Sequence, residues 1–143
     1  MMKKIFFSTV FFIYFALTFA QSIKGEWKTI DDETGEEKSI VTIYEKEGQI
    51  YGKIIEILNP KKKNSKCTKC EGKYKDKPIL GMLIIDGLSK DDDVYEGGSV
   101  LNPSNGKVYK CRLKLDEDNP NQLQVRGYVA FFYKTQYWQR IID

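Results

Sequence analysis

Val108-Tyr109-Lys110-Cys111-Arg112-Leu113-Lys114-Leu115 decides the fold. Tyr109, Cys111, Leu113 and Leu115 fall on one face, and Lys110, Arg112 and Lys114 on the other, which is the period of a half-buried strand. Outward from this segment the same period recurs in Gly25 to Thr29, Lys38 to Glu45, Gln49 to Leu58, Leu80 to Asp86, Val94 to Leu101, Leu123 to Tyr128 and Tyr133 to Ile141. The connectors carry turn chemistry: Asp32-Glu33-Thr34-Gly35, Glu47-Gly48, Asn102-Pro103-Ser104-Asn105-Gly106, and Asp116 to Gln122 around Pro120. Short links favour antiparallel neighbours, and no long helical pattern interrupts them. The chain is therefore expected to form an all-β, eight-stranded antiparallel up-and-down barrel, which removes sheet edges by closing on itself. A two-sheet β-sandwich is the runner-up.

Counting strands sorts the links between two ends. End A collects those near residues 30–37, 59–79, 102–106 and 129–132. End B collects those near 46–48, 87–93 and 116–122, together with the start of the first strand at Trp27 and the finish of the last at Trp138 and Arg140.

Residues 1–20 read as a secretory signal: Met1-Met2-Lys3-Lys4, an apolar run from Ile5 to Phe19, and Thr18-Phe19-Ala20 as a small-residue cleavage site before Gln21. The expected product is a single domain over 21–143, exported to the periplasm or the medium; an uncleaved anchor is the alternative. Gln21 stands where a lipid-modified Cys would be, which argues against a lipoprotein. The whole chain has 143 residues and a formal charge of +3. Without the leader 123 residues remain, with 21 basic and 20 acidic side chains. No later run approaches the roughly 20 apolar residues needed to span a bilayer as a helix.

The chain contains no His. That excludes a Ser-His-Asp triad, a Cys-His pair, a zincin helix and a histidine metal cage, each of which needs an imidazole. No Asp or Glu pair stands out as acid and base. The expectation is a protein that is not an enzyme and uses no cofactor.

Gly25-Glu26-Trp27 on the first strand and Arg140 on the last resemble the signature of the calycin superfamily, the lipocalins and their relatives. The resemblance implies that the Arg140 guanidinium lies over the Trp27 indole and closes one end of the barrel, by cation–π attraction and stacking. A longer series looks like the bacterial "domain of unknown function 2147" family: Gly25-x-Trp27, Gly52-Lys53-Ile54, Pro78-Ile79-Leu80-Gly81-Met82, Gly97-Gly98-Ser99-Val100-Leu101-Asn102-Pro103-x-Asn105-Gly106-Lys107-x-Tyr109, Leu123-x-Val125-Arg126-Gly127-Tyr128 and Gln136-x-Trp138-x-Arg140. What this implies is a secreted or periplasmic lipocalin-like barrel, with no activity assigned.

Cys67-Thr68-Lys69-Cys70 and Cys111 allow three pairings or a metal. In an oxidising compartment a disulfide is expected. Cys111 falls on the inward face of a strand while Cys67 and Cys70 share a polar link, so the leading arrangement is a local Cys67–Cys70 bridge with Cys111 a buried thiol. A thioredoxin-like site would need the motif at a helix N-terminus, and zinc would need a fourth ligand without recourse to His.

That link, Asn59 to Lys77, holds Lys61, Lys62, Lys63, Lys66, Lys69, Lys73, Lys75 and Lys77 against Glu71 and Asp76, a net charge of +6. It reads either as a solvated loop or as a stapled lid over the mouth at end A, able to contact anionic head groups through Lys61 to Lys77. Nucleic acid is disfavoured because the basic stretch lacks interleaved aromatics apart from Tyr74. The functional expectation is binding of a small apolar, amphipathic or lipid-like molecule at end A. Tyr109, Leu113 and Val125 are the inward contacts, with Tyr51 and Tyr95 as polar contacts near a rim. A filled barrel acting as a protein-interaction or envelope-stress module is the alternative.

Overall fold

The computed structural model describes residues 22–142; the expected signal segment, 1–20, lies outside them. Eight strands follow in order: β1 (Gly25–Ile30), β2 (Glu37–Lys46), β3 (Gln49–Ile57), β4 (Leu83–Asp91), β5 (Val94–Asn102), β6 (Lys107–Leu115), β7 (Gln122–Val129) and β8 (Phe132–Arg140). Each pairs antiparallel with its neighbours in sequence, and β8 returns to β1, so the sheet closes as an up-and-down barrel. The strands form where β-branched residues gather, as in Ile40-Val41-Thr42-Ile43 of β2 and in β3 with Ile50, Ile54, Ile55 and Ile57.

The interior is packed. Trp27, Val41, Ile43, Ile50, Ile54, Ile85, Leu88, Leu113, Leu123, Val125 and Trp138 belong to one continuous buried cluster. An eight-stranded barrel is at the size where its inside is either filled or holds one small ligand. These side chains fill it, each buried aliphatic contributing roughly 1.5–3 kcal/mol. One buried polar contact joins the hydroxyls of Thr29 and Ser39 at 2.7 Å, so neither is left unsatisfied.

The closing seam differs from the other ladders. Eight residue pairs join β7 to β8, but only Trp27↔Arg140 and Lys28↔Gln139 join β1 to β8, both at end B. Toward end A, Lys134 of β8 instead reaches Asp32 and Glu33 of the β1–β2 link at 3.5 Å each.

The fourth strand departs from the expected span. Leu80 to Met82 are not strand: Gly81 has φ 86, its N–H donates to the Ile54 carbonyl at 2.7 Å, and the turn puts Leu80 at the surface. The strand instead starts at Leu83 and runs on to Asp91, so the β4–β5 link shrinks from residues 87–93 to the turn Asp92-Asp93. An apolar run beside a turn cannot be told from a strand by its composition, and the ladder with β3 and β5 decides the matter.

Candidate functional site at the two ends of the barrel

End B is closed. The Arg140 guanidinium lies 4.3 Å from the centre of the Trp27 ring. Its amines also donate to main-chain carbonyls, Nη2 to Ser22 at 2.7 Å and to Pro120 at 3.3 Å, and Nη1 to Lys24 at 3.3 Å. Trp27 is completely buried and its indole Nε1 donates to the Ile23 carbonyl at 2.8 Å. Gly25 takes φ 132, and a Cβ there would stand 3.5 Å from the Arg140 Nη1. The Gly-x-Trp pattern thus supplies both a backbone conformation that L side chains rarely adopt and a ring for the cation.

End A is covered by the link between β3 and β4, which folds across the mouth through short helical turns at Pro60–Lys62 and Gly72–Tyr74. Cys67 and Cys70 are joined as a disulfide, and both are buried in the barrel's own apolar cluster. Cys111 remains a buried thiol, and desolvation pushes its pKa up to about 12. Around the bridge the link ties itself together: the Cys67 N–H donates to the Lys77 carbonyl at 2.8 Å, Asp76 to Cys67 at 2.9 Å and Ile79 to Ser65 at 3.0 Å. At one side Lys62 pairs with Glu36 of the β1–β2 link at 3.8 Å.

At the other side the cover rests on the β5–β6 turn. Asn102 and Asn105 build that turn, accepting from the N–H groups of Ser104 and Lys107 at 2.9 Å each. Gly106, at φ 71, leaves no room for a side chain: a Cβ would overlap the Lys69 carbonyl and the Cys70 nitrogen. The Asn105 amide donates to the Tyr109 hydroxyl at 2.8 Å and so fixes that ring. The long Asn-Pro-x-Asn-Gly-Lys-x-Tyr block is therefore the seat of the cover.

Between cover and turn lies an open cleft of about 490 Å³, whose wall includes Lys69, Tyr74, Leu101, Lys107, Val108, Tyr109, Tyr128 and Val129. A shallower one of about 430 Å³ lies on the far side of Tyr74, against Lys73, Lys77 and the Pro78 to Leu83 segment. Of the five expected ligand contacts, Tyr109 faces a cleft. Leu113 and Val125 sit in the packed core, below any mouth. Tyr51 and Tyr95 lie toward end B, away from the clefts. Tyr51 is stacked on Tyr44 at 5.9 Å on the outer surface. Tyr95 opposes the inward-facing Leu113 and packs against the core. Leu101, Val108, Tyr128 and Val129 were missed because they belong to the cleft only once the long link is folded over them.

The first acidic link is held by its own hydrogen bonds. The Asp31 carboxylate accepts from the N–H groups of Glu33 and Thr34 at 2.9 and 3.0 Å, and these, Thr34 first, lower its pKa to about 2, helped by Lys38. Among the described residues no three Cys, Asp or Glu gather where they could hold a metal.

The architecture matches a solved structure, the lipocalin-family protein HP1028 of Helicobacter pylori, with a TM-score of 0.72 and 22% identity over 85% of this chain and 84% of that one. At that identity the likeness speaks for the fold. The chain matches no curated protein. Its residues 25–140, from the glycine of Gly-x-Trp to the arginine that covers the tryptophan, match the profile described as "uncharacterized protein conserved in bacteria (DUF2147)", and the chain belongs to that family.

Proposed function

We propose that this is an exported, non-catalytic binding protein that takes a small apolar or amphipathic molecule in the cleft at end A. The cleft itself carries the reading. Its volume of about 490 Å³ is within the range of about 300–1,000 Å³ typical of small-molecule sites. Its wall is amphipathic: Leu101, Val108 and Val129 offer apolar surface, three tyrosines offer rings and hydroxyls, and Lys69, Lys107 and Glu71 supply two cations and one carboxylate. Because the barrel is filled, the ligand sits at the mouth, between the cover and the turn. The leader-like residues 1–20 support export.

Native mass spectrometry of the protein purified from its own envelope tests this. A reproducible small-molecule adduct is expected, and Val108→Asp should reduce its occupancy by about tenfold or more by charging an apolar wall. Val108 is 62% exposed, so the fold should tolerate the change. A bare mass, even after exposure to total lipid extract, would sink the proposal.

A second reading rests on the filled interior: a barrel that acts through its outer surface as a protein-interaction or envelope-stress module. A bare mass together with a stoichiometric co-purifying protein would favour it.

A further inference from the structure

Six of the eight phenylalanines lie in residues 1–20, and the other two are Phe131 and Phe132. The core is made from Ile, Leu, Val, Met, Cys and Trp, while both of these rings stand in solvent, 98% and 78% exposed. They sit in and beside the two-residue turn between β7 and β8, flanked by Val129 and Tyr133, which are also exposed. Nothing in the turn calls for them. Ala130 takes φ 50 there, a conformation for which Asn, Asp or Gly is the usual choice. A cluster of exposed apolar groups at a loop tip marks a surface that is covered in use.

The charge around this tip is sorted. It belongs to end A, and Val129 and Tyr128 share a cleft with Lys69 and Lys107. In and beside the β1–β2 link the acidic side chains are engaged, Asp31 with Lys38, Asp32 and Glu33 with Lys134, Glu36 with Lys62 and Glu37 with Lys28, while the cover's own Glu71 and Asp76 are outnumbered by its lysines. Lys61, Lys63, Lys66, Lys69, Lys73 and Lys77 of the cover form no ion pair among the described residues. An apolar apex beside a field of free ammonium groups is complementary to one kind of partner.

We infer that end A docks on an anionic lipid bilayer, with Phe131 and Phe132 entering the boundary between head groups and acyl chains and the cover's lysines lying among the head groups. Ring burial and charge attraction are each marginal alone and together give stable, reversible attachment. The tip is convex and short, whereas a folded protein partner needs a complementary patch of about 1,200 Å² or more in total. A fluid surface adapts to a protruding hairpin and to flexible lysines, which keep their heads in water while their stems lie along the interface. This docking is independent of whether the cleft holds a small molecule.

Residues 22–142 hold all eight strands of the closed barrel and the buried cluster that fills it, so the chain from Gln21 is the test species. It is mixed with phosphatidylcholine vesicles, with and without about one-third phosphatidylglycerol, and bound protein is measured by sedimentation. Partitioning to the anionic vesicles is expected, weakened by salt and nearly absent on phosphatidylcholine alone. Phe131→Ser with Phe132→Ser should lower the partition coefficient by about tenfold or more. In Phe131→Trp, the emission added to that of Trp27 and Trp138 should shift to the blue on binding and be quenched by brominated acyl chains. Should the double serine variant melt earlier than the parent, Lys73→Gln and Lys77→Gln carry the test, each lowering partitioning by about fivefold. No partitioning to anionic vesicles would overturn the inference, as would partitioning indifferent to both sets of substitutions. Concentration-dependent self-association abolished by the serine pair would also overturn it, by making a second copy of the chain the occupant.

Discussion

The barrel is shut at end B by side chains brought from opposite ends of the sequence, and at end A by one segment folded across the opening. At end B the closing groups are strand residues: Trp27 and Arg140 face each other in the β1–β8 ladder, and the cation is also tied to three carbonyls. At end A the closing groups lie outside the strands, the staple is covalent, and clefts remain on either side of Tyr74. The first closure reaches the core through strand side chains, and the second through a disulfide that a link sets into the same cluster. An end built into the sheet holds the barrel together, and an end covered by a link is free to carry binding surface.

Three measurements would break or sharpen this contrast, beginning with the strongest. Trp27→Ala removes a fully buried ring and strands the Arg140 cation, so it should cost about 3–5 kcal/mol in urea unfolding, with loss of structure throughout the barrel. A cost under about 1 kcal/mol would mean that end B is not the structural end. Cys67→Ser with Cys70→Ser opens a very short covalent loop and should cost about 2 kcal/mol. Its effect should be local: faster amide exchange over residues 59–82, with the strands still protected. Global unfolding in that variant would show that the barrel depends on the cover as much as on end B. Cys111 reports whether water reaches the interior. Its thiol keeps its proton in the native barrel up to about pH 12, whereas the unfolded chain loses it above about 9. Stability should therefore fall as pH rises from about 9 toward about 12, by about 1.4 kcal/mol at pH 10. Cys111→Ala should remove that part of the pH dependence. A thiol titrating near its ordinary value in the native state would mean that the cover admits solvent.

The closed barrel was legible because Tyr109 to Leu115 and its companions alternate cleanly and are joined by recognisable turns. Counting strands then placed every link at its end. The Trp27–Arg140 closure followed from a resemblance that specifies both partners. The cleft was not legible, for physical reasons that differ by residue. In β3 both parities are apolar, so composition could not say that Ile50, Gly52 and Ile54 point in and Tyr51 out. In β5 the register shifts between Tyr95 and Gly98, so alternation cannot be carried through the strand. In Pro78 to Met82 only Ile79 and Met82 pack against the core while Pro78 and Leu80 are exposed, so the run is apolar without being a strand. Phe131 and Phe132 fall in the link expected near 129–132, and their hydrophobicity gave no sign that both rings stand in solvent there.

The two-pair ladder between β1 and β8 also bears on the order in which the molecule assembles. Seven of the eight strand adjacencies join consecutive segments, and all of these but β3–β4, whose strands are separated by the long cover, form as hairpins at the low entropic cost of short loops. The remaining adjacency brings Arg140 to Ser22 across 118 residues and has the fewest ladder pairs to reward it. Closure is then the last event in folding and the first to be undone. The species that precedes it is an open meander with two unpaired edges, so the Arg140–Trp27 stack is also what keeps those edges from pairing with another chain.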